Sequence, residues 1–150
     1  MSEHRAHVAW RRATADFAYE TYDRTHEVRF GSGQRLQGSA AAEYHGDPTK
    51  VDPEELFVGA LASCHMLTFL AVASKSQLVV DAYEDEAVAT LGRNDEGRFA
   101  VTRVVLRPRV TFSGEAPARD RLERLHDKAH RACMIAASVK CEVRVEPADG

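Results

Sequence analysis

Residues 53–75 carry apolar side chains on nearly every side of a helix, and this stretch restricts the possible folds more than any other part of the chain. It opens on Asp52-Pro53-Glu54-Glu55. Asp52 can cap, Pro53 suits the first helical position, and Glu55 stands at the capping-box spacing from Asp52. Beyond that start Leu56, Phe57, Leu61, Leu67, Phe69 and Leu70 point all round the cylinder. A helix that is apolar on all sides has to be buried on all sides. A chain of 150 residues makes one domain, over residues 1–150, and so small a domain covers such a helix poorly by itself. A partner subunit is therefore expected over part of it. Ser63, His65 and Thr68 interrupt the apolar run, so it reads as a core helix; a membrane span wants about 20 apolar residues with few polar ones.

The flanking segments read as strands and one further helix. Residues 6–12 and 17–30 predict a hairpin or meander joined near 13–16, and 35–38 a short strand after the Gly31-Ser32-Gly33 turn. Residues 39–52 read as loop. Residues 79–91 and 98–112 predict two long strands around a turn at 92–97, with a bulge near Thr102–Arg103 where the apolar parity changes. Leu122, Leu125, Ala129 and Ala132 recur at helical spacing within 116–132, and Val139, Cys141, Val143 and Val145 alternate with charged residues. Strands, buried helix, strands, amphipathic helix, strand is an α+β order, without the regular alternation of a parallel sheet.

Charge excludes some partners. With 20 basic and 23 acidic residues the formal net charge is −3, and no basic excess marks a nucleic-acid surface. Met1-Ser-Glu-His-Arg5 has no apolar signal region behind it, so the expected place is the cytoplasm, with no membrane partner. Cys64, Cys133 and Cys141 are an odd set, which argues against a disulfide framework. In a reducing compartment they are metal ligands, catalytic groups or small buried side chains.

Periodicity alone reads all three cysteines as core. Cys64 lies mid-helix, Cys133 continues the Leu122–Leu125–Ala129 stripe, and Cys141 falls on the apolar face of the last strand. No Cys-x-x-Cys pair supplies zinc spacing, and Cys64 and His65 point to different sides of one helix, so no metal or other cofactor is expected. His126 and His130 stand at i, i+4 and could clip a metal, although a solvated face explains them as well. A Cys–His hydrolase using Cys133 and His130 is an alternative that no further motif supports.

Two segments carry a family resemblance. Asp52-Pro-Glu-Glu-Leu-Phe-Val-Gly-Ala-Leu-Ala-Ser-Cys64-His resembles the helix start of the OsmC/Ohr proteins, and Ala129-His-Arg-Ala-Cys133-Met-Ile-Ala-Ala-Ser-Val139 resembles their second cysteine segment. The likeness covers most of the chain and is nearest the OsmC-like branch, with Tyr22-Asp-Arg24-Thr-His26 near the start. It departs from the hydroperoxide-resistance branch in having Met134 where proline usually follows the second cysteine. The resemblance implies an α+β fold of antiparallel sheets wrapped around long central helices in an intertwined homodimer. It implies a thiol peroxidase acting on organic hydroperoxides, with Cys64 peroxidatic, Cys133 resolving, Glu54 and an arginine of the N-terminal strands completing the site (Arg24 the best match, Arg11, Arg12 and Arg29 its alternatives), and a cellular dithiol, of lipoyl type for instance, as reductant. Glu54 and Cys64 are ten residues apart, about 15 Å along a straight helix and roughly 80° around it, so each site would draw on both subunits. The competing readings are a non-catalytic binder of a small apolar ligand on the same fold and a thioesterase-like thiol enzyme.

Overall fold

The computed structural model describes residues 1–148, which gather into two compact units, Met1–Leu56 and the remainder from Phe57. In the first, β1 (Ala6–Ala9), β2 (His26–Phe30) and β3 (Arg35–Gly38) form an antiparallel sheet in the order β1-β2-β3. Val8 stands opposite Val28, and Val28 opposite Leu36. The strands are shorter than the expected 6–12 and 17–30. Between them the Trp10, Phe17 and Tyr22 rings pack on one another, with centroids 4.9–6.1 Å apart, and Trp10 Nε1 donates to the Asp23 carbonyl at 2.7 Å. Clustering of aromatic rings has replaced ladder pairing over that segment.

The buried-helix expectation holds in its limits. α1 runs Pro53–Lys75, and the Glu55 N–H donates to Asp52 Oδ1 at 2.7 Å while Glu55 Oε2 accepts from the Asp52 N–H at 3.1 Å. At the other end Gln77 takes a left-handed φ of 59°, and the Leu78 N–H returns to the Ala73 carbonyl at 3.0 Å. By length and composition α1 alone among the described residues is apolar enough to cross a membrane. Only one of its faces is buried in its own chain, by Leu61, His65, Phe69, Val72 and Ala73, while Leu67 on the other side is 61% exposed.

In the second unit each expected long strand is cut in two. β4 (Val80–Asp85) and β5 (Val88–Arg93) replace the first, and β6 (Phe99–Leu106) and β7 (Pro108–Phe112) the second. The cut at Arg107 has an identifiable cause: its N–H leaves the ladder for Asp85 Oδ1 at 2.7 Å, and Pro108 has no N–H to offer. The halves then enter different sheets, β4-β7 and β5-β6-β8. The predicted bulge is present. Thr90 pairs with Arg103 and Leu91 with Val101, leaving Thr102 as the extra residue. α2 (Arg119–Ala132) is followed by the short α3 (Met134–Ala137) and by β8 (Glu142–Val145). β8 lies parallel to β6, with Val143 opposite Val104, the one parallel pair within these otherwise antiparallel sheets.

Two cores result, and α1 contributes to both. Its first half sets Leu61 against Val104 and Leu106, with Cys141, Val143 and Val145 around them. Its second half sets Phe69, Val72 and Ala73 against Leu125 and Ala129 of α2. Cys141 lies just before β8, not within it, and packs as the small core side chain its periodicity suggests.

Candidate active site

Cys64 sits halfway along α1 and is half-buried. Thr68, one turn further on, donates from Oγ1 to the Cys64 carbonyl at 2.8 Å and stands beside the sulfur. Cys133 reaches the same place from the other helix. It is the residue where α2 ends and α3 begins, in an extended conformation with φ −73° and ψ 112°, and it is 1% exposed. Its sulfur accepts from the Ala136 N–H at 3.4 Å. That bend aims the Met134 and Ile135 N–H groups, and the Cys133 thiol itself, at Cys64.

The two sulfurs are displaced in opposite directions. Burial pushes the Cys64 thiol up, but the hydrogen bonds it accepts from the Cys133 thiol, the Ile135 and Met134 amides and Thr68 outweigh that and hold it below the usual cysteine value. Burial pushes Cys133 up, and donating its hydrogen bond to Cys64 pushes it further. Cys141 is also raised, by burial. A thiol made more acidic and one made less so therefore stand side by side at Cys64 and Cys133, and no cation takes part in that tuning. Around Cys64 the wall is largely apolar: Ala60, Leu67, Ala71, Met134 and Ile135, with Ser63 and Thr68 among them, line an open groove of about 520 Å³.

His126 does not lie on a solvated face. It is 2% exposed, and its Nδ1 lies 3.1 Å from Nε2 of His65, itself 1% exposed. Burial drops both imidazoles to about 4, so both are neutral near pH 7. Among the described residues no three His, Cys, Asp or Glu side chains gather as metal donors.

In the first unit, Arg24 is 8% exposed, and its guanidinium donates to the carbonyls of Tyr19 and Tyr22 and lies 3.9 Å over the Tyr22 ring. It borders an open basin of about 570 Å³ with Trp10, Phe17 and Tyr44. Glu54 stands half-buried in the first turn of α1. Within the single chain these backbone carbonyls hold Arg24, and no ion pair joins it to Glu54 among the described residues.

Thr68 and the two amides escaped the sequence reading. Thr68 had a signal, because it is four residues from Cys64 and so on the same helix face. The amides had none, since only the break at Cys133 turns them inward.

Residues 45–148, from before the α1 cap through β8, match the family described as OsmC-like protein. The chain belongs to that family. The structure of an OsmC-like protein of unknown function from Vibrio cholerae O1 biovar eltor is 44% identical, with a TM-score of 0.92 over 99% of this chain and 100% of that one. An uncharacterized protein of Bacillus subtilis, YmaD, is 26% identical over 110 residues, 72% of this chain and 73% of its own. The organic hydroperoxide resistance protein of Elizabethkingia anophelis shares the fold, with a TM-score of 0.77 at 15% identity over 100% of this chain and 98% of that one. In this OsmC-like protein both cysteines fall within the matched residues and Arg24 falls before them.

Proposed function

We propose that this OsmC-like protein is a dithiol-dependent peroxidase for organic hydroperoxides. The observation that carries the reading is the Cys64–Cys133 contact, with one thiol made more acidic and its neighbour less. The Cys64 thiolate attacks the distal oxygen of ROOH, the O–O bond breaks, and the leaving alkoxide takes a proton and departs as ROH, leaving a sulfenic acid. Cys133 then attacks that sulfur, water leaves, and a Cys64–Cys133 disulfide forms, which two thiols of a cellular dithiol reduce. The apolar groove around Cys64 favours an alkyl chain over hydrogen peroxide. Kinship with a fold that also serves organic hydroperoxide resistance proteins supports the same class of substrate. A Cys133 thioesterase is disfavoured, because that thiol is buried and held protonated.

Arg24 and Glu54 complete this proposal, supplied to Cys64 by a second copy of the chain. The exposed side of α1, with Leu67 at its middle, is the surface such a copy would cover. The arginine would stabilise the thiolate and the departing alkoxide, and the glutamate would orient the arginine.

The test is consumption of an organic hydroperoxide with dithiothreitol or dihydrolipoamide. Wild type should turn over, Cys64→Ser should lose at least about a thousandfold, and Cys133→Ser, oxidised by hydroperoxide before any thiol is added, should react once and stop at the sulfenic acid, with no Cys64–Cys133 disulfide. Fully reduced wild type that consumes no hydroperoxide with either dithiol sinks the proposal.

A further inference from the structure

The His65–His126 contact ties together the two helices that carry the reacting sulfurs, and the proposed chemistry does not use it. Cys64 and His65 are consecutive on α1, about 100° apart, so one side chain faces Cys133 while the other faces α2. His126 and Cys133 are seven residues apart on α2 and its end, about 10 Å along the axis and only about 20° around it. Whatever fixes His126 against α1 therefore also fixes the approach of Cys133. The fixing is directional: Nε2 and Nδ1 are 3.1 Å apart, the ring planes lie within 11°, and Phe69, one turn beyond His65, stacks on His126 at 4.2 Å.

Stability alone would be better served by other side chains. Leu125, Ala129 and Val72 surround this level of the core, and an apolar pair there would avoid the cost of burying polar nitrogens. His65 Nδ1 and His126 Nε2 are buried without a hydrogen-bond partner in the protein, so that cost is being borne. What a hydrogen bond between two rigid rings adds is a single relative position for two helices. A disulfide needs its Cα atoms about 4.4–6.8 Å apart, a window that a loose helix pair leaves often.

We propose that His65 and His126 are positioning residues for the Cys64–Cys133 pair, an imidazole latch that holds α1 and the end of α2 at the separation at which the two sulfurs can bond. This rests on the reading of those cysteines as the reacting pair. It concerns only their encounter and not the oxidant.

The test is therefore run without peroxide. The full-length protein is equilibrated with mixtures of reduced and oxidised dithiothreitol, and the Cys64–Cys133 disulfide is quantified by mass after thiol blocking. The reaction is protein dithiol plus oxidised dithiothreitol giving protein disulfide plus reduced dithiothreitol. In the His65→Leu/His126→Leu double variant the equilibrium constant should fall about tenfold, which is about 30 mV for a two-electron couple. In His126→Asn, whose amide sits where Nδ1 was, it should stay within about threefold of wild type. The double variant removes both polar partners, so its melting temperature should not fall in step with its redox constant. If it fails to fold, His65→Met/His126→Leu replaces it. A double variant whose constant stays within about twofold of wild type overturns the latch, as does His126→Asn falling as far as the double variant or a wild type that forms no such disulfide. A protein that shows the shift and yet ignores hydroperoxides keeps the latch and sinks only the peroxidase reading.

Discussion

The acidity of Cys64 comes from hydrogen-bond donors, with no positive charge contributing within its own unit. That makes its neighbours measurable. Alkylation of Cys64 by iodoacetamide, followed against pH, should have its midpoint below the ordinary cysteine value of 9.0. Cys133→Ala removes the strongest donor and should move that midpoint up further than Thr68→Val does. An unmoved midpoint in Cys133→Ala would show that the thiol contact does not tune Cys64. Cys64 and Cys133 were legible in the sequence through the segments around them, whereas their hydrogen bonds were not. Periodicity says which face a side chain occupies and leaves unsaid which backbone N–H groups a helix break sets free. His126 was misread for a related reason. It lies between Leu122 and Ala129 on the apolar stripe, and its polarity outweighed a position that already placed it inside.

At the level of elements, the contact of α1 with α2 has an acid limit. His65 and His126 stand at about 4 in the fold against 6.5 in an unfolded chain, both lowered chiefly by burial. Their folded values are depressed, so an unfolded chain takes up protons first. The stability the neutral pair preserves is whole above about pH 6.5 and is lost as pH falls towards 4, by about 3 kcal/mol for one imidazole taken singly. The groups facing the pair are His130 on α2, which opposes His65, and Tyr83 on β4, whose ring lies 5.8 Å from Phe69. Urea unfolding at pH 7, 5.5 and 4 should show the loss, and His65→Leu/His126→Leu should flatten it. Equal slopes in both proteins would assign the acid lability to other groups. The boundaries of α1 were legible because its cap is a chemical signature, the Asp52–Glu55 exchange. The strands were less so. Residues 79–91 and 98–112 have the composition of unbroken ribbons, and what cuts the second is a long-range bond from Arg107 to Asp85, 22 residues back in the chain. The parallel seat of β8 depends likewise on distant residues, because Val143 and Val145 close on Leu61, Val104 and Leu106.

For the whole molecule the unfinished surface is the outer side of α1. Leu67 is 61% exposed on a helix whose mean character is that of a core, and the sequence had already asked for a partner subunit to cover it. On the dimeric reading proposed above, Leu67→Glu should weaken self-association at least tenfold by sedimentation velocity, since a charge would be buried unpaired. A wild type that sediments as a monomer at micromolar concentration would leave that face without its expected occupant. Cys133 carries a different consequence for the molecule. The sulfur that would close a disulfide is also the acceptor that starts the four-residue α3, through the Ala136 N–H. That sulfur already faces Cys64, and a disulfide would draw it closer still, which would lengthen its contact with the Ala136 amide and slacken the segment at Met134 and Ile135. The oxidised protein would then differ from the reduced one in local softness as well as in one covalent link, and a reducing partner would find the bond it must break beside the segment that yields most easily.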